Sequence, residues 1–199
     1  MSDIVYILGS NLYINLTNRC PCNCGFCLRN SGDAVGSADS LWLEREPSAK
    51  EVLSELNSYN FKDFREIVFC GYGEPFCALD ALIEISRDLK KRGSIIIRAN
   101  TNGLGSLINN KATPPLLEGV LDKVSISLNA PNAKSYNAMC RPEFGEGSYE
   151  AMLKFAQGCK LYVPFVQFTV VDVIGRDATD ACRAIAERMG ISFRVRSFE

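Results

Sequence analysis

The chain has 199 residues, nine cysteines, no histidine, and a formal net charge of -1 from 22 basic and 23 acidic residues. This balance gives no global electrostatic attraction to nucleic acid or to anionic membranes, and no apolar run approaches the roughly 20 residues of a membrane span. The odd cysteine count and the lack of a signal peptide argue against a secreted disulfide scaffold, so we expect free thiols in a reducing, cytoplasmic compartment. Without histidine, a metal site must use cysteine and oxygen ligands.

Short runs rich in Ile, Val and Leu alternate with amphipathic stretches along the chain. Six of these runs have the length and composition of strands that are buried on both faces of a parallel sheet. They are residues 11–16, 66–70, 94–98, 123–128, 165–171 and 191–196.

The first helix is predicted by a capping box, in which Ser48 accepts from an early backbone N–H and Glu51 reaches back to the cap. Val52 and Leu56 then lie on one apolar face. Three further helices are predicted at residues 80–92, 148–160 and 177–189.

Two glycines mark predicted helix ends. Gly93 and Gly190 each follow a helix whose last turns carry basic residues, and both suit a left-handed cap. The segment 104–119 is less regular, because Pro114 and Pro115 break it into pieces.

Repeated strand–helix units imply parallel strands that are joined by right-handed crossovers. Six strands fall short of the eight in a closed barrel of roughly 250 residues, so we expect an incomplete (β/α)6 TIM-like barrel. It would form a single domain over residues 1–199, without an additional cysteine-rich domain for auxiliary clusters. In such a fold the loops at the carboxyl ends of the strands form the active face.

Four cysteines lie within eight residues, in the sequence Cys20-Pro-Cys22-Asn-Cys24-Gly-Phe-Cys27. The spacing Cys20-x3-Cys24-x2-Cys27 puts three thiolates on one short loop, which can hold three irons of a 4Fe-4S cube and leave the fourth iron open. We interpret Cys22 as a loop-packing thiol. Four thiolates also bind zinc, so a structural zinc site is the alternative, although zinc ligands usually come as two pairs from separated knuckles.

A second motif, Gly71-Tyr72-Gly73-Glu74-Pro75, follows the second predicted strand. Glycine lets a backbone approach a ligand closely, and a carboxylate can pair with an ammonium group. Glycine and proline are also common in ordinary turns, so this motif alone is not specific. Its position after the cysteine motif makes a functional role the better interpretation.

The two motifs, in this order and each after a predicted strand, resemble those of the radical S-adenosylmethionine (radical SAM) superfamily. The resemblance implies a 4Fe-4S cluster on Cys20, Cys24 and Cys27, with the open iron chelated by the methionine moiety of S-adenosylmethionine (SAM). The usual Gly-Gly-Glu stands here as Gly71-Tyr72-Gly73-Glu74, which keeps the glutamate in register to bind the methionine amino group.

Other residues are assigned to SAM by the same resemblance. Polar residues at the ends of the third and fourth predicted strands match positions that contact the ribose and carboxylate of SAM, and their side chains carry suitable donors and acceptors. With the aromatic residue before the last motif cysteine, they are Phe26, Asn100, Thr101, Asn102, Ser127 and Asn129.

In this family a reduced cluster donates an electron to SAM, and the resulting 5′-deoxyadenosyl radical abstracts hydrogen from a substrate. The resemblance therefore implies a radical SAM enzyme, an oxidoreductase or glycyl-radical activase, that works anaerobically with an external electron donor of flavodoxin or ferredoxin type. The substrate is unassigned, and the lateral opening of a short barrel is compatible with a peptide or protein. The alternative is a non-catalytic iron-sulfur electron carrier or a zinc-stabilised binding module.

Two local stretches look closest to a small subfamily, the TatD-associated radical SAM proteins. They are residues 12–24 and 127–132, with Tyr136 and Cys140-Arg141-Pro142 downstream. The subfamily label reflects genomic company and assigns no reaction.

The remaining cysteines are scattered, without a C-x2-C pair. Cys140 is predicted in a polar loop after the fourth strand, where a catalytic role as a redox group or hydrogen donor is a hypothesis. Cys159 and Cys182 fall on predicted helices and are interpreted as packing residues, and Cys70 is expected to line the barrel. Cys77 has no assigned role.

Charged residues near the strand ends are candidates for substrate recognition, with salt bridges between neighbouring strands as the alternative. They are Arg98, Asp172, Arg194 and Arg196. The aromatic residues of the fifth predicted strand, Phe165 and Phe168, are interpreted as core.

Overall fold

The computed structural model describes residues 3–30, 32 and 35–197. In this part of the chain, seven strands lie side by side in chain order in one sheet. The strands are β1 Val5–Leu8, β2 Asn11–Ile14, β3 Glu66–Phe69, β4 Ile96–Thr101, β5 Lys123–Ser127, β6 Phe165–Val171 and β7 Ser192–Arg196. The helices are α1 Ala49–Leu56, α2 Leu79–Arg92, α3 Gly105–Ile108, α4 Ala133–Cys140, α5 Ser148–Tyr162 and α6 Arg176–Met189.

The sheet is parallel from β2 to β7, and β1 pairs with β2 in the antiparallel sense. β1 and β7 form its two edges, so the sheet is not closed. The expected incomplete barrel of six parallel strands is therefore confirmed. β1 is an additional strand that was not predicted from the sequence. It has only four residues, which give a short periodic signal, and it joins β2 through a turn in which Gly9 has a φ of 60°.

The two faces of the sheet differ in chemistry. One face carries fully buried side chains such as Ile67, Ile97 and Val124, which pack in one apolar cluster with Leu82 and Ile85 of α2. The alternate residues of the same strands face the concave interior. Burial of the apolar face at roughly 25 cal/mol per Å2 is the main stabilising term and fixes which residues point inward.

The capping box of α1 is confirmed, since the Ser48 side chain accepts from the Glu51 N–H and the Glu51 carboxylate accepts from the Ser48 N–H at 2.8 Å. Gly190 has the predicted left-handed conformation, with φ 60° and ψ 41°. Gly93 does not, because its φ of 152° and ψ of -175° lie outside the left-handed helical region, so the prediction of a left-handed cap there is wrong. Its positive φ still favours glycine at this position.

α4 corrects the prediction of a polar loop around Cys140. Asn132 caps this helix by accepting a hydrogen bond from the Ser135 N–H at 3.0 Å, and Tyr136 and Cys140 form its buried face. The fourth strand of the sheet also lies later than predicted, at Ile96–Thr101 rather than 94–98, because pairing with β5 continues to Thr101. In the described part of the chain, the helices lack the length and apolar character that crossing a membrane requires.

Candidate functional site

The loop that carries the cysteine motif follows β2 and docks onto the end of α4. The backbone N–H of Asn23 donates to the carbonyl of Cys140 at 3.0 Å, and the N–H of Glu143 donates to the carbonyl of Pro21 at 2.8 Å. These bonds join segments that are more than 110 residues apart in sequence. The cysteine loop is therefore held by α4 as well as by its own strand.

Four sulfur atoms lie in a chain of hydrogen-bonded contacts, in the order Cys20, Cys22, Cys24 and Cys140. Hydrogen bonds from the thiols of Cys140 and Cys22 lower the pKa of Cys24 to about 4, and the Cys22 thiol also lowers the pKa of Cys20. Donation to these sulfurs, together with burial, raises the pKa of Cys22 and of Cys140. Within this group of interacting thiols, Cys20 and Cys24 thus favour the thiolate more than Cys22 and Cys140 do.

The donor set fits a 4Fe-4S cluster. Cys27 lies one turn beyond Cys24, with its N–H donating to the Cys24 carbonyl at 3.2 Å, so all three motif thiols belong to one compact loop. Across residues 3–30, 32 and 35–197, no three Cys, Asp or Glu side chains converge on a point where they could hold a single metal ion. In a 4Fe-4S cube each cysteine binds a different iron, so three thiolates on one loop are the donors that such a cluster requires.

Glu74 lies at the end of the loop after β3 and is buried, with 3% of its surface exposed. Its carboxylate accepts three hydrogen bonds: from the Thr101 hydroxyl at 2.7 Å, from the Asn102 N–H at 2.7 Å and from the Phe76 N–H at 3.2 Å. Burial nevertheless raises the pKa of Glu74 to about 7. The glutamate therefore joins the end of β3 to the end of β4, where a basic ligand group would favour its charged form.

Asn102 connects this carboxylate to the cysteine loop. Its side-chain amide lies 3.7 Å from the sulfur of Cys22 and 4.0 Å from that of Cys20, within the range of N–H···S hydrogen bonds. Its backbone N–H meanwhile donates to Glu74. The ends of β3 and β4 and the loop after β2 thus meet at one point, as the sequence predicted for the cysteine motif, Glu74, Thr101 and Asn102.

The two motif glycines contact the chain itself. A Cβ atom at Gly73 would lie 2.1 Å from the carbonyl oxygen of Thr17, and one at Gly71 would lie 2.0 Å from Oδ1 of Asn15. The glycines are required because the β3 loop passes directly against the segment after β2. Tyr72 between them is buried and packs edge-on against Trp42, with ring centroids 5.1 Å apart. These three residues have clear packing roles beside their predicted role in SAM binding.

Asn129 lies at the far side of the cysteine loop. It is buried in a left-handed conformation at φ 57°, and its amide donates to the Cys140 sulfur at 3.7 Å. Within the described part of the chain, its Oδ1 and the hydroxyl of nearby buried Tyr136 have no hydrogen-bond partner. Buried polar atoms are nearly always satisfied, so these two atoms are candidates for ligand contact. Tyr136 and Cys140 lie one helical turn apart on the buried face of α4, and this spacing was the available signal for the hydroxyl.

The other predicted SAM residues make contacts outside the group around Glu74 and the sulfurs. Asn100 points to the opposite face from Thr101 and accepts from Arg98 at 2.8 Å in the barrel interior. Ser127 pairs in register with Thr169, and Phe26 is half-buried against the main apolar cluster. The structure therefore does not bring Asn100 into the group around Glu74.

The remaining cysteines and the aromatic residues of β6 differ in how far their side chains are buried. Cys159 and Cys182 are fully buried on α5 and α6, in agreement with a packing role. Cys70 is half-buried and hydrogen-bonded to Asn100 in the interior. Phe168 is core, but Phe165 is 39% exposed beneath the ammonium of Lys123, so its interpretation as core is wrong. Position 165 faces the concave side, which the helices do not cover.

The sequence profile of the Radical SAM superfamily matches residues 14–187, which span the cysteine loop, the Glu74 loop and both polar strand ends. The chain belongs to the Radical SAM superfamily. The cofactors of this superfamily are a 4Fe-4S cluster and SAM.

Curated relatives share part of the chain. A probable dual-specificity RNA methyltransferase RlmN 1 of Protochlamydia amoebophila is 29% identical over 143 residues, or 66% of this chain and 36% of the relative. A GTP 3′,8-cyclase of Lactiplantibacillus plantarum is 26% identical over 165 residues, or 82% of this chain and 46% of the relative. The chain thus spans less than half the length of these relatives.

Among solved structures, Streptococcus suis SuiB bound to S-adenosylmethionine superimposes with a TM-score of 0.67 at 17% identity. The match covers 96% of this chain and 40% of SuiB. At this identity the likeness concerns the fold, and the chain corresponds to one part of the larger protein.

Proposed function

We propose that this chain is a radical SAM enzyme that reductively cleaves SAM at a 4Fe-4S cluster on Cys20, Cys24 and Cys27. When bound, the reduced cluster supplies the electron that cleaves SAM to methionine and a 5′-deoxyadenosyl radical, which abstracts hydrogen from the substrate. The electron would come from an external donor of flavodoxin or ferredoxin type, under anaerobic conditions. Assignment to the TatD-associated radical SAM proteins remains a proposal based on the sequence resemblance.

The observation that carries this proposal is the contact of three strand ends around the sulfurs. Glu74 accepts from the Asn102 N–H, and the Asn102 side chain reaches the sulfurs of Cys20 and Cys22. A ligand that touched both an iron on this loop and the Glu74 carboxylate would be held at two ends. Such two-point binding supports SAM, whose methionine end carries an ammonium group for Glu74.

The chain's own residues would bind and orient the cofactors. The Asn102 side chain would donate to the sulfurs of Cys20 and Cys22 and help to orient the loop. The buried carboxylate of Glu74 gains its charge when an ammonium group neutralises the cost of burial. Asn129 and Tyr136 offer unpartnered polar atoms on the opposite side, so the bound cofactor would meet polar groups from several elements.

The reaction type and the substrate are a separate question. The two curated relatives named above carry out different transformations, so neither reaction is transferred to this chain. An oxidoreductase or a glycyl-radical activase is compatible with the site. The open edge of the sheet at β7 leaves a lateral entrance to the concave face, which supports a substrate as large as a peptide or protein segment.

The test is SAM cleavage by the anaerobically reconstituted, dithionite-reduced protein. We expect slow formation of 5′-deoxyadenosine without added substrate, and none from the Cys24→Ala variant. A loaded, reducible cluster that gave neither 5′-deoxyadenosine nor a spectral change with SAM would favour the iron-sulfur carrier. Zinc retained in place of iron after reconstitution would favour the zinc-stabilised binding module.

A further inference from the structure

The concave face of the sheet carries a band of basic residues. In register, Arg98 pairs with Lys123 across β4 and β5, while Thr169 pairs with Arg194 and Val171 with Arg196 across β6 and β7. Because side chains alternate along a strand, Arg194 and Arg196 project to the same face. On the opposite face, Phe193 packs against the apolar cluster and Val195 is 38% exposed.

A cavity of about 340 Å3 opens on this face near the amino ends of the strands. Its lining includes four cationic side chains, Arg65, Arg98, Lys123 and Arg194, and one acidic side chain, Glu66. The Glu66 carboxylate forms ion pairs with two of them, Arg98 at 2.7 Å and Lys123 at 2.6 Å. The cavity therefore has excess positive charge after its internal ion pairs are counted.

Arg196 lies one step beyond this cavity and is not neutralised. Its Nε atom is buried without a hydrogen-bond partner, and no carboxylate within residues 3–30, 32 and 35–197 forms an ion pair with it. The charged groups that face it are Arg194 and Arg98, and the other titratable neighbours are Cys70 and Tyr13. Burial, reinforced by the two arginines, lowers the pKa of Arg196. A buried Nε–H without a partner on a half-buried arginine favours an anion at this position, because an unpaired polar group is costly to bury.

The position of Arg196 relates it to the proposed active site. Cys70, which immediately precedes the Gly71–Glu74 motif, lies within electrostatic range of both Arg196 and Glu74. A ligand bound at Arg196 would therefore extend along the concave face toward the loop that carries Glu74. Guanidinium binds carboxylate and phosphate through two parallel hydrogen bonds, which gives orientation as well as affinity.

We propose that the concave face binds an oxyanion, a carboxylate or phosphate group of the substrate, through Arg196, with Arg194 adding positive charge. Its description as a substrate site rests on the proposed function. The anion site itself rests on the basic residues and their missing partner.

The test is calorimetric titration of the reconstituted holoprotein with inorganic phosphate and, separately, with succinate. SAM is kept saturating and no reductant is added, so that the open iron is not offered to the anion. We expect saturable binding of at least one anion, weakened by added sodium chloride, and the stronger of the two identifies the group. Arg196→Gln should weaken binding about tenfold or more, and Arg196→Lys should weaken it less.

Arg87→Gln provides the matched control, because Arg87 is an exposed arginine on α2, on the helical side of the sheet. It should bind the anion as the unchanged protein does. If Arg196→Gln does not fold, the exposed Arg194→Gln tests the same site and should weaken binding severalfold. Equal affinity in both variants and the unchanged protein would overturn the proposal.

Two outcomes separate this proposal from the proposed function. If the protein bound the anion through Arg196 but never cleaved SAM, the anion site would be supported and the proposed enzyme activity would be rejected. If the protein cleaved SAM but bound no anion, the enzyme activity would be supported and the anion site would be rejected. If Glu199→Gln bound the anion more tightly than the unchanged protein, the Glu199 carboxylate would be the partner of Arg196. That result would overturn the proposal.

Discussion

The carboxylate of Glu74 lies 2.7 Å from the backbone nitrogen of Asn102, across the ends of two neighbouring strands. This bond places a buried acid between the proposed methionine site and the residue that reaches the cysteine sulfurs. Its strength affects both ligand binding and folding, and the two effects can be measured separately.

Glu74→Gln should weaken SAM binding roughly tenfold or more without changing the iron content. A charge-assisted hydrogen bond contributes on the order of 1.5–3 kcal/mol, and the amide cannot replace the charge. Calorimetric titration with SAM checks this result. Glu84→Gln, at an exposed position on α2, is the control and should bind normally. Unchanged affinity in Glu74→Gln would remove this residue from the SAM site.

The same substitution should change the pH dependence of stability in the protein without SAM. Burial raises the pKa of Glu74 from 4.5 to about 7, so the folded state binds more protons than the unfolded state between these values. The contribution of Glu74 to the free energy of unfolding is therefore full below about pH 4.5 and falls as the pH rises to about 7. Denaturant titrations at pH 5 and pH 7 should show a smaller difference for Glu74→Gln than for Glu84→Gln. An equal difference would contradict the assigned pKa.

The cysteine assignment predicts which thiols carry iron. Replacing Cys20, Cys24 or Cys27 by alanine should abolish the 4Fe-4S absorption and the bound iron after anaerobic reconstitution, because each removes the ligand of one iron. Cys22→Ala should retain the cluster, since Cys22 lies outside the three-cysteine spacing and its side chain is buried in the loop. Loss of the cluster in Cys22→Ala alone would show that the ligand set is wrong.

Gly73→Ala should destabilise the site more than a glycine substitution normally does. The new Cβ would meet the Thr17 carbonyl at 2.1 Å, so the loops after β2 and β3 must move apart. We expect a loss of about 2 kcal/mol or more in the free energy of unfolding, with weaker cluster retention. Gly147→Ala is the control, because nothing lies within 4 Å of its Cβ position. Similar unfolding curves for the two variants would contradict the close approach.

Cys140→Ala should keep the cluster and the background cleavage of SAM. The backbone carbonyl that anchors Asn23 remains, but the thiol's contact with the Cys24 sulfur and the acceptor for the Asn129 amide are lost, which should cost roughly 1 kcal/mol of stability. Cys159→Ala removes an equally buried thiol far from the loop and calibrates the cost of the cavity. Iron loss in Cys140→Ala but not in Cys159→Ala would make Cys140 a ligand. With a substrate identified, loss of its turnover alone would support the catalytic hypothesis for Cys140.

The sequence by itself determined the features that depend on neighbouring residues. Three cysteines within eight positions form one ligand loop in almost any fold, and Ser48 and Glu51 cap their helix through bonds that span one turn. Alternating strand and helix segments likewise predicted six parallel strands, because burial on both faces leaves a continuous apolar signal. β1 and α4 were missed since their short signals compete with turn-forming residues on either side.

Only the tertiary structure decided the features that join distant segments. Three contacts depend on how the strands are placed in the sheet. They are the docking of the cysteine loop on Cys140, the close approach of Gly73 to Thr17, and the hydrogen bond between Glu74 and Asn102. The same holds for Arg196, whose sequence neighbours do not reveal that its Nε is buried beside two other arginines. Local residues can specify which atoms are available for bonding, but burial and partner choice depend on contacts between parts of the chain that are far apart in sequence.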